Sequence, residues 1–174
     1  MDSQQTHAVL RLPTDPAPKP SDVSSPQAVV LAVYETISGP AESERERDWT
    51  RFQSLLSPDA TFRLVRWFYP DQVVDELRLW SVDEFIEAGK IQWRETGFWE
   101  RELWSRTEVF GNVAHVWSAY EGRVGSHDSD PVTRGVNSFQ LVHADGRWWL
   151  VSTAWDIETA VNRVPGTDST TSDT

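Results

Sequence analysis

A histidine is the side chain in this sequence best suited to acid–base chemistry. His115 lies in a β-prone segment, where alternation places it on one face with Trp117 and Glu121. A histidine titrates near neutrality and could act as a general base in an apolar pocket, with the carboxylate assisting it. Alternatively, His115 faces solvent or a second subunit, and Glu121 is an edge charge balanced by Arg123 or Arg101.

Three further polar residues could hold or polarise a ligand. Tyr34 falls on the apolar stripe of a predicted helix, where a buried hydroxyl needs a hydrogen-bond partner. Asn137 could orient a ligand carbonyl, and Arg134 could stabilise an oxyanion. Alternation puts these last two on opposite faces of one strand, so we predict Asn137 in the pocket and Arg134 in an ion pair. A plain core role for Tyr34 stays open.

Aromatic residues could line the same pocket, although their spacing equally suits an ordinary core. The predicted ligand-binding residues are Trp49, Phe52, Trp117, Tyr120, Glu121 and Phe139. Asp48 lies near the expected pocket mouth, but its helix-cap role explains it; Asp156, near the end of the last strand, is either a site carboxylate or a solvated terminus. Histidines and carboxylates lack metal-ligand spacing, so we predict no metal, and we expect chemistry without a cofactor.

A hairpin at the end of the domain must position most of these side chains. Residues 134–158 form two β-rich runs around Asp145-Gly146, which predicts a tight turn. With a two-residue loop, one face carries Asn137, Phe139, Leu141, Trp148, Leu150, Ser152 and Ala154. The other carries Val136, Ser138, Gln140, Val142, Trp149, Val151, Thr153 and Trp155. A three-residue loop would change the pairing between the strands but not the apolar character of the two faces. Helices are therefore expected to cover one face and a second subunit the other, with residues 68–77 or the N-terminal tail as the alternative cover.

The other elements are predicted from caps, turns and periodicity. Helices are expected over 26–37, over 48–56, and from a capping box at 81–84 to a stop at Gly97. Strands are expected over 60–67, 99–109 and 113–124. Residues 68–77 contain a proline and show no clean pattern, so we expect an excursion over one end of the domain. Helices followed by antiparallel strands indicate the α+β class.

Composition limits the function classes. We predict a single domain over 26–160, between disordered tails over 1–25 and 161–174; a short edge strand over 8–12 is the alternative at the N-terminus. The net charge of −11 repels nucleic acid and anionic membranes. The chain contains no cysteine, which excludes disulfides and thiolate catalysis. It shows neither a signal peptide nor an apolar run of about 20 residues, so we expect a cytoplasmic protein.

The order of elements resembles that of the nuclear-transport-factor-2-like (NTF2-like) superfamily, and more closely its SnoaL-like branch. The resemblance rests on ISGP at the end of the first helix, RDW at the start of the second, and the strands HVWSAYEGR and RGVNSFQLVHADGRWWLVSTAWD. It covers residues 26–158. It implies a cone of three N-terminal helices on a curved, mostly antiparallel sheet, with a central pocket and homodimers formed through the sheet.

The resemblance also bears on function. Isomerases and dehydratases of the superfamily place a phenolic donor at the position of Tyr34. We therefore predict a protein that binds a small apolar or aromatic molecule, with cofactor-free isomerase, cyclase or dehydratase chemistry in which His115 is the base and Tyr34 or Asn137 the donor. The alternative is a non-enzymatic dimerisation or ligand-sensing scaffold. Two polar side chains within reach of one point in the pocket would favour the enzyme.

Overall fold

The computed structural model describes residues 15–69 and 72–166. The helices are α1 (Pro26–Ile37), α2 (Trp49–Ser54) and α3 (Val82–Gln92). The strands are β1 (Leu56–Tyr69), β2 (Gln72–Trp80), β3 (Phe98–Phe110), β4 (Val113–Val124), β5 (Pro131–Ala144) and β6 (Arg147–Ile157). They form one sheet in the order β2-β1-β6-β5-β4-β3, in which only the β1–β6 pair is parallel. The predicted α+β class is confirmed.

Local sequence signals explain where the helices begin. Ser25 caps α1 with its side-chain oxygen, and Pro26 occupies the first helical position, where no backbone N–H is needed. Asp48 caps α2 in the same way. Ser81 and Glu84 form the predicted capping box at the start of α3. The starts of α1, α2 and α3 therefore agree with the sequence-based predictions.

The hydrophobic core lies between the helices and one face of the sheet, here called the inner face. Helix α1 packs over β3, β4 and β6, whereas α3 packs over β1 and β2. The largest fully buried side chains are Phe52, Phe139, Leu55, Leu141 and Leu150. Each such side chain contributes about 1.5–3 kcal/mol when it leaves water. This layer holds the helices on the sheet and forms the floor of the site described below.

The prediction of an irregular excursion over 68–77 is wrong. Strands β1 and β2 pair as an antiparallel hairpin, from Phe62 opposite Trp80 to Tyr69 opposite Gln72. Because β2 is an edge strand, it exposes Leu77 and Leu79 to solvent, so its apolar residues do not mark a buried face. The predicted second helix is also too long, since α2 ends at Ser54 and β1 begins two residues later.

The terminal hairpin has the predicted turn but only part of the predicted faces. Asp145 and Gly146 adopt φ angles of 51° and 77°, as a two-residue turn requires. A bulge follows in β6, because Leu141 pairs with Leu150 whereas Gln140 pairs with Ser152. The extra residue reverses the alternation beyond it. The predicted outward placement of Thr153 and Trp155 is therefore wrong: Thr153 pairs with Phe139 and Trp155 with Asn137 on the inner face.

Parts of both predicted tails contact the domain. Residues 20–23 form a 3₁₀ turn in which Asp22 and Val23 are buried, and Arg51 donates two hydrogen bonds to the Asp22 carboxylate at 2.7 and 3.1 Å. Near the other end, Val164 is buried, and the indole of Trp104 donates to a backbone carbonyl at position 165. The alternative edge strand over 8–12 lies outside the described residues. No helix in the described part is long and apolar enough to span a membrane.

Candidate functional site

A cavity of about 390 Å³ opens between the helices and the inner face of the sheet. Its wall is mainly apolar, and all three helices and all six strands contribute to it. Aromatic rings supply much of the wall, including Phe62, Phe85, Trp93, Phe98 and Trp155. A cavity of this size and composition is suited to a small aromatic or apolar molecule.

The strongest polar feature of the cavity is the pair Glu100 and Asn137. Glu100 projects from β3, and Asn137 from β5, with β4 between them in the sheet. The Asn137 side-chain amide donates to Glu100 Oε1 at 3.2 Å and to the Tyr34 hydroxyl oxygen at 3.0 Å. One nitrogen thus brings a carboxyl group and a phenol together at one side of the cavity.

Glu100 has an unusual electrostatic environment. Burial raises the pKa of its carboxyl group to about 8, although the hydrogen bond from Asn137 favours the charged form. Among the described residues that line the cavity, none is lysine, arginine or histidine, so no cation there offsets the cost of ionisation. Glu100 is therefore mainly protonated at neutral pH. A neutral carboxyl group in an apolar site can donate a proton to a ligand.

A chain of hydrogen bonds continues from Tyr34 away from the cavity. The Tyr34 hydroxyl lies 2.7 Å from Ser118 Oγ, which donates to Glu102 Oε2 at 2.6 Å. Tyr34 and Ser118 are 4% and 0% exposed, whereas Glu102 is only partly buried. Burial, followed by the nearby Glu100, raises the pKa of the Tyr34 phenol. Tyr34 therefore stays neutral near physiological pH.

Other polar groups of the cavity wall are available to a ligand. Thr153 Oγ1 and the indole N–H of Trp93 are buried and have no hydrogen-bond partner among the described residues. Tyr120 lies against Gly135, where an added Cβ would stand 2.7 Å from the Tyr120 hydroxyl oxygen, so a glycine is needed for this close approach. Burial raises the pKa of Tyr120 as well. Within residues 15–69 and 72–166, no three histidine or acidic side chains converge on a metal-sized site.

The structure brings together most, but not all, of the residues predicted to form the site. Tyr34, Asn137, Phe52, Tyr120 and Phe139 all line the cavity. Trp49 packs just behind the wall, where its ring stacks on Trp93 at a centroid distance of 6.2 Å.

His115, Trp117 and Glu121 lie on the outer face of β4, away from the cavity. His115 pairs across the sheet with Gln140, and its Nε2 lies 3.0 Å from Ser138 Oγ. Glu121 binds Arg123 and Arg101 at 2.5 and 2.6 Å, as its alternative interpretation predicted. Burial opposes its ionisation, but these hydrogen bonds hold the pKa of Glu121 below its usual range.

Sequence reasoning missed Glu100, the one acidic residue among the described residues that line the cavity. It lies in a strand that was predicted, next to Trp99 and Arg101. Alternation within β3 alone does not tell which face is buried, because one face carries Phe98 and the other Trp99. The hairpin turn at 111–112 does not supply the signal either, because regular pairing from it would place Glu100 opposite Arg123; the bulge between Glu102 and Trp104 pairs it with Gly122 instead. That pairing puts Glu100 on the strand face of Tyr120 and Ser118.

Comparisons with solved structures give the fold a name. A Streptomyces avermitilis protein of the NTF2-like family, proposed to be a dehydratase, superposes with a TM-score of 0.56 at 17% identity, over 80% of this chain and 97% of that one. An NTF2-like protein of unknown function from Silicibacter pomeroyi DSS-3 superposes with a TM-score of 0.51 at 17% identity, over 76% of this chain and 92% of that one. The chain has the NTF2-like fold. An NTF2-like protein from Cytophaga hutchinsonii ATCC 33406 superposes with a TM-score of 0.52 at 12% identity, over 77% of this chain and 99% of that one.

The NTF2-like fold accounts for the cavity but not for its chemistry, because a fold of this kind supports many functions. The predicted cone of helices on a mostly antiparallel sheet is confirmed. No family model and no curated protein matches the sequence. The assignment to the SnoaL-like branch stays a prediction.

Proposed function

We propose that this NTF2-like protein binds a small apolar or aromatic molecule in its cavity and catalyses proton transfer on it without a cofactor. The observation that carries the proposal is the Glu100 carboxyl group, which is hydrogen-bonded to Asn137 in an otherwise largely apolar wall. Isomerisation, cyclisation and dehydration are the reaction classes that such a group can support. Glu100 takes the place that the sequence analysis assigned to His115.

Each reaction class uses Glu100 in the same way. In its neutral form the carboxyl group donates its proton to an oxygen of the ligand, such as a carbonyl or a departing hydroxyl. The resulting carboxylate then accepts a proton from a neighbouring carbon, which returns Glu100 to its starting form. Asn137 stabilises the carboxylate between the two steps, because its amide donates to Oε1. The apolar wall excludes water from the ionised intermediate state.

The geometry favours an enzyme over a scaffold. A scaffold needs no convergent polar groups, whereas Glu100 and Tyr34 both lie within hydrogen-bond distance of the same Asn137 nitrogen. The two side chains are therefore no more than about 6 Å apart at their polar atoms. One small ligand can contact both of them at once.

The cavity is expected to bind 2-acetylnaphthalene, an aromatic ketone of suitable size, in the sub-millimolar range. Its entry should quench tryptophan fluorescence, because Trp80, Trp93 and Trp155 line the wall. Ala88→Phe on α3 places a ring in the cavity and should weaken binding at least about tenfold. The matched control is Ala160→Phe at an exposed position, which should bind normally. Equal affinity in the Ala88 variant and the wild type would overturn the cavity as the binding site.

We also infer a homodimer formed through the outer face of the sheet. Trp117 and Val113 on β4 are 39% and 54% exposed there, next to the apolar side chain of Val142 on β5. Light scattering should give twice the monomer mass for the wild type, and Trp117→Glu should give a monomer. Val161→Glu, at a position that is 96% exposed, is the control and should leave the dimer intact. A monomeric wild type, or a dimer that survives Trp117→Glu, would contradict the inference.

A further inference from the structure

The hydrogen bonds around Ser118 have a single consistent direction. Glu102 accepts at both carboxylate oxygens, because Gln27 Nε2 donates to Oε1 at 2.8 Å and Ser118 Oγ donates to Oε2 at 2.6 Å. A serine hydroxyl has only one proton. Since the Ser118 proton is directed to Glu102, Ser118 can only accept from Tyr34 across their 2.7 Å contact.

This direction determines what Tyr34 offers to the cavity. Its phenolic proton is committed to Ser118, and one oxygen lone pair accepts from Asn137 Nδ2 at 3.0 Å. The Tyr34 oxygen can therefore accept a hydrogen bond from a ligand but has no proton left to donate to it. The resemblance to superfamily isomerases and dehydratases implied the opposite role, a phenol that donates to the ligand.

We propose that Glu102, acting through Ser118, fixes Tyr34 as a hydrogen-bond acceptor, so that the cavity selects ligands that present a hydroxyl or N–H group to this phenol. Glu102 and Ser118 are positioning residues, because neither is among the described residues that line the cavity. Beside Tyr34, donation to the ligand is then left to the Glu100 carboxyl group, whose Oε2 has no hydrogen-bond partner among the described residues. The inference rests on the proposed ligand site, and it narrows the substrate class to molecules with both a donor and an acceptor group.

A measurement without ligand tests the direction of the hydrogen bonds independently of the proposed function. The ultraviolet resonance Raman doublet of tyrosine distinguishes a phenol that donates its proton from one that only accepts. Subtracting the spectrum of Tyr34→Phe from that of the wild type isolates Tyr34, which should show the donating form. Ser118→Ala should shift this signal towards the non-donating form. An unchanged signal in that variant would overturn the proposal even if ligands bind.

A matched pair of ligands tests the consequence for selectivity. 2-Naphthol can donate a hydrogen bond, whereas 2-methoxynaphthalene can only accept one. The wild type should bind 2-naphthol about tenfold more tightly, by calorimetry near pH 6.5, because a neutral hydrogen bond is worth about that factor. Ser118→Ala releases the Tyr34 proton towards the cavity. In this variant the affinities for 2-naphthol and 2-methoxynaphthalene should differ by less than about threefold, or their order should reverse. Tyr34→Phe should abolish the preference.

Glu102→Ala provides a second route if the loss of the buried Ser118 hydroxyl prevents folding. Glu102 is only partly buried, and its removal frees the Ser118 proton to reorient towards Tyr34. The ligand preference should fall as it does in Ser118→Ala. A tenfold preference that persists in Glu102→Ala, or in Tyr34→Phe, would overturn the proposal. If neither ligand binds the wild type, the proposed cavity function fails, while the Raman result still decides the hydrogen-bond direction.

Discussion

Replacing Glu100 by glutamine is expected to lower the rate of a proton-abstraction reaction in the cavity by about 100-fold or more. The probe is 5-nitrobenzisoxazole, whose ring opens to a coloured cyanophenolate when a base removes its C–H proton. Because burial raises the pKa of Glu100 to about 8, the carboxylate is a minor form at pH 7 and the main form above pH 8. The wild-type rate should therefore rise between about pH 7 and pH 9 and then level off. The glutamine variant should lose this pH-dependent component.

Two variants control for this result. Glu108→Gln removes an exposed carboxylate from the same strand and should leave the rate unchanged. His115→Gln should also retain full activity, because the histidine lies on the outer face of the sheet. A loss of activity in the His115 variant, with normal activity in Glu100→Gln, would contradict the proposed role of Glu100 and favour the histidine predicted from the sequence.

Replacing Arg47 by methionine is expected to reduce the free energy of unfolding by about 3–5 kcal/mol. The Arg47 side chain is 1% exposed, and it donates to the Glu42 carboxylate at 2.7 Å and to backbone carbonyls at Ile37 and Gly39 at 2.7 and 3.1 Å. Its guanidinium also lies 4.7 Å from the ring centre of Trp93 in the cavity wall. Methionine would leave these acceptors unsatisfied. Denaturant unfolding monitored by circular dichroism measures the loss.

Charge and position can be separated with two further variants. Arg47→Lys keeps the charge, but an ammonium group cannot reproduce the planar set of guanidinium N–H donors. Most of the loss in the free energy of unfolding seen for Arg47→Met should therefore remain. Arg45→Met removes an exposed arginine from the same loop and should change the free energy of unfolding by less than about 0.5 kcal/mol. If Arg47→Met were as stable as Arg45→Met, the buried arginine would have no role in holding the loop against the cavity wall.

Local signals carried much of the prediction. The bounds of α1, the capping box of α3 and the Asp145-Gly146 turn depend on residues a few positions apart, and all three are confirmed. The predicted pocket position of Tyr34 needed only the period of a helix, whereas for Asn137 the period of a strand gave a face but not which face lines the cavity. Alternation groups the residues of a strand into two faces but does not say which face is inside. His115 was therefore predicted on the cavity side of β4, whereas it lies on the outer side.

What the sequence determined by itself is most of the elements, the α+β class and the apolar character of the site. These follow from propensities, caps and periodicity, which act within single helices and strands. Only the tertiary structure decided the β1–β2 hairpin, the bulge at Val151 that turns Thr153 and Trp155 inward, and the isolation of Glu100 in an apolar wall. Register and burial depend on strands that are distant in sequence, so the pKa of Glu100 and the acceptor role of Tyr34 arise only when those strands meet.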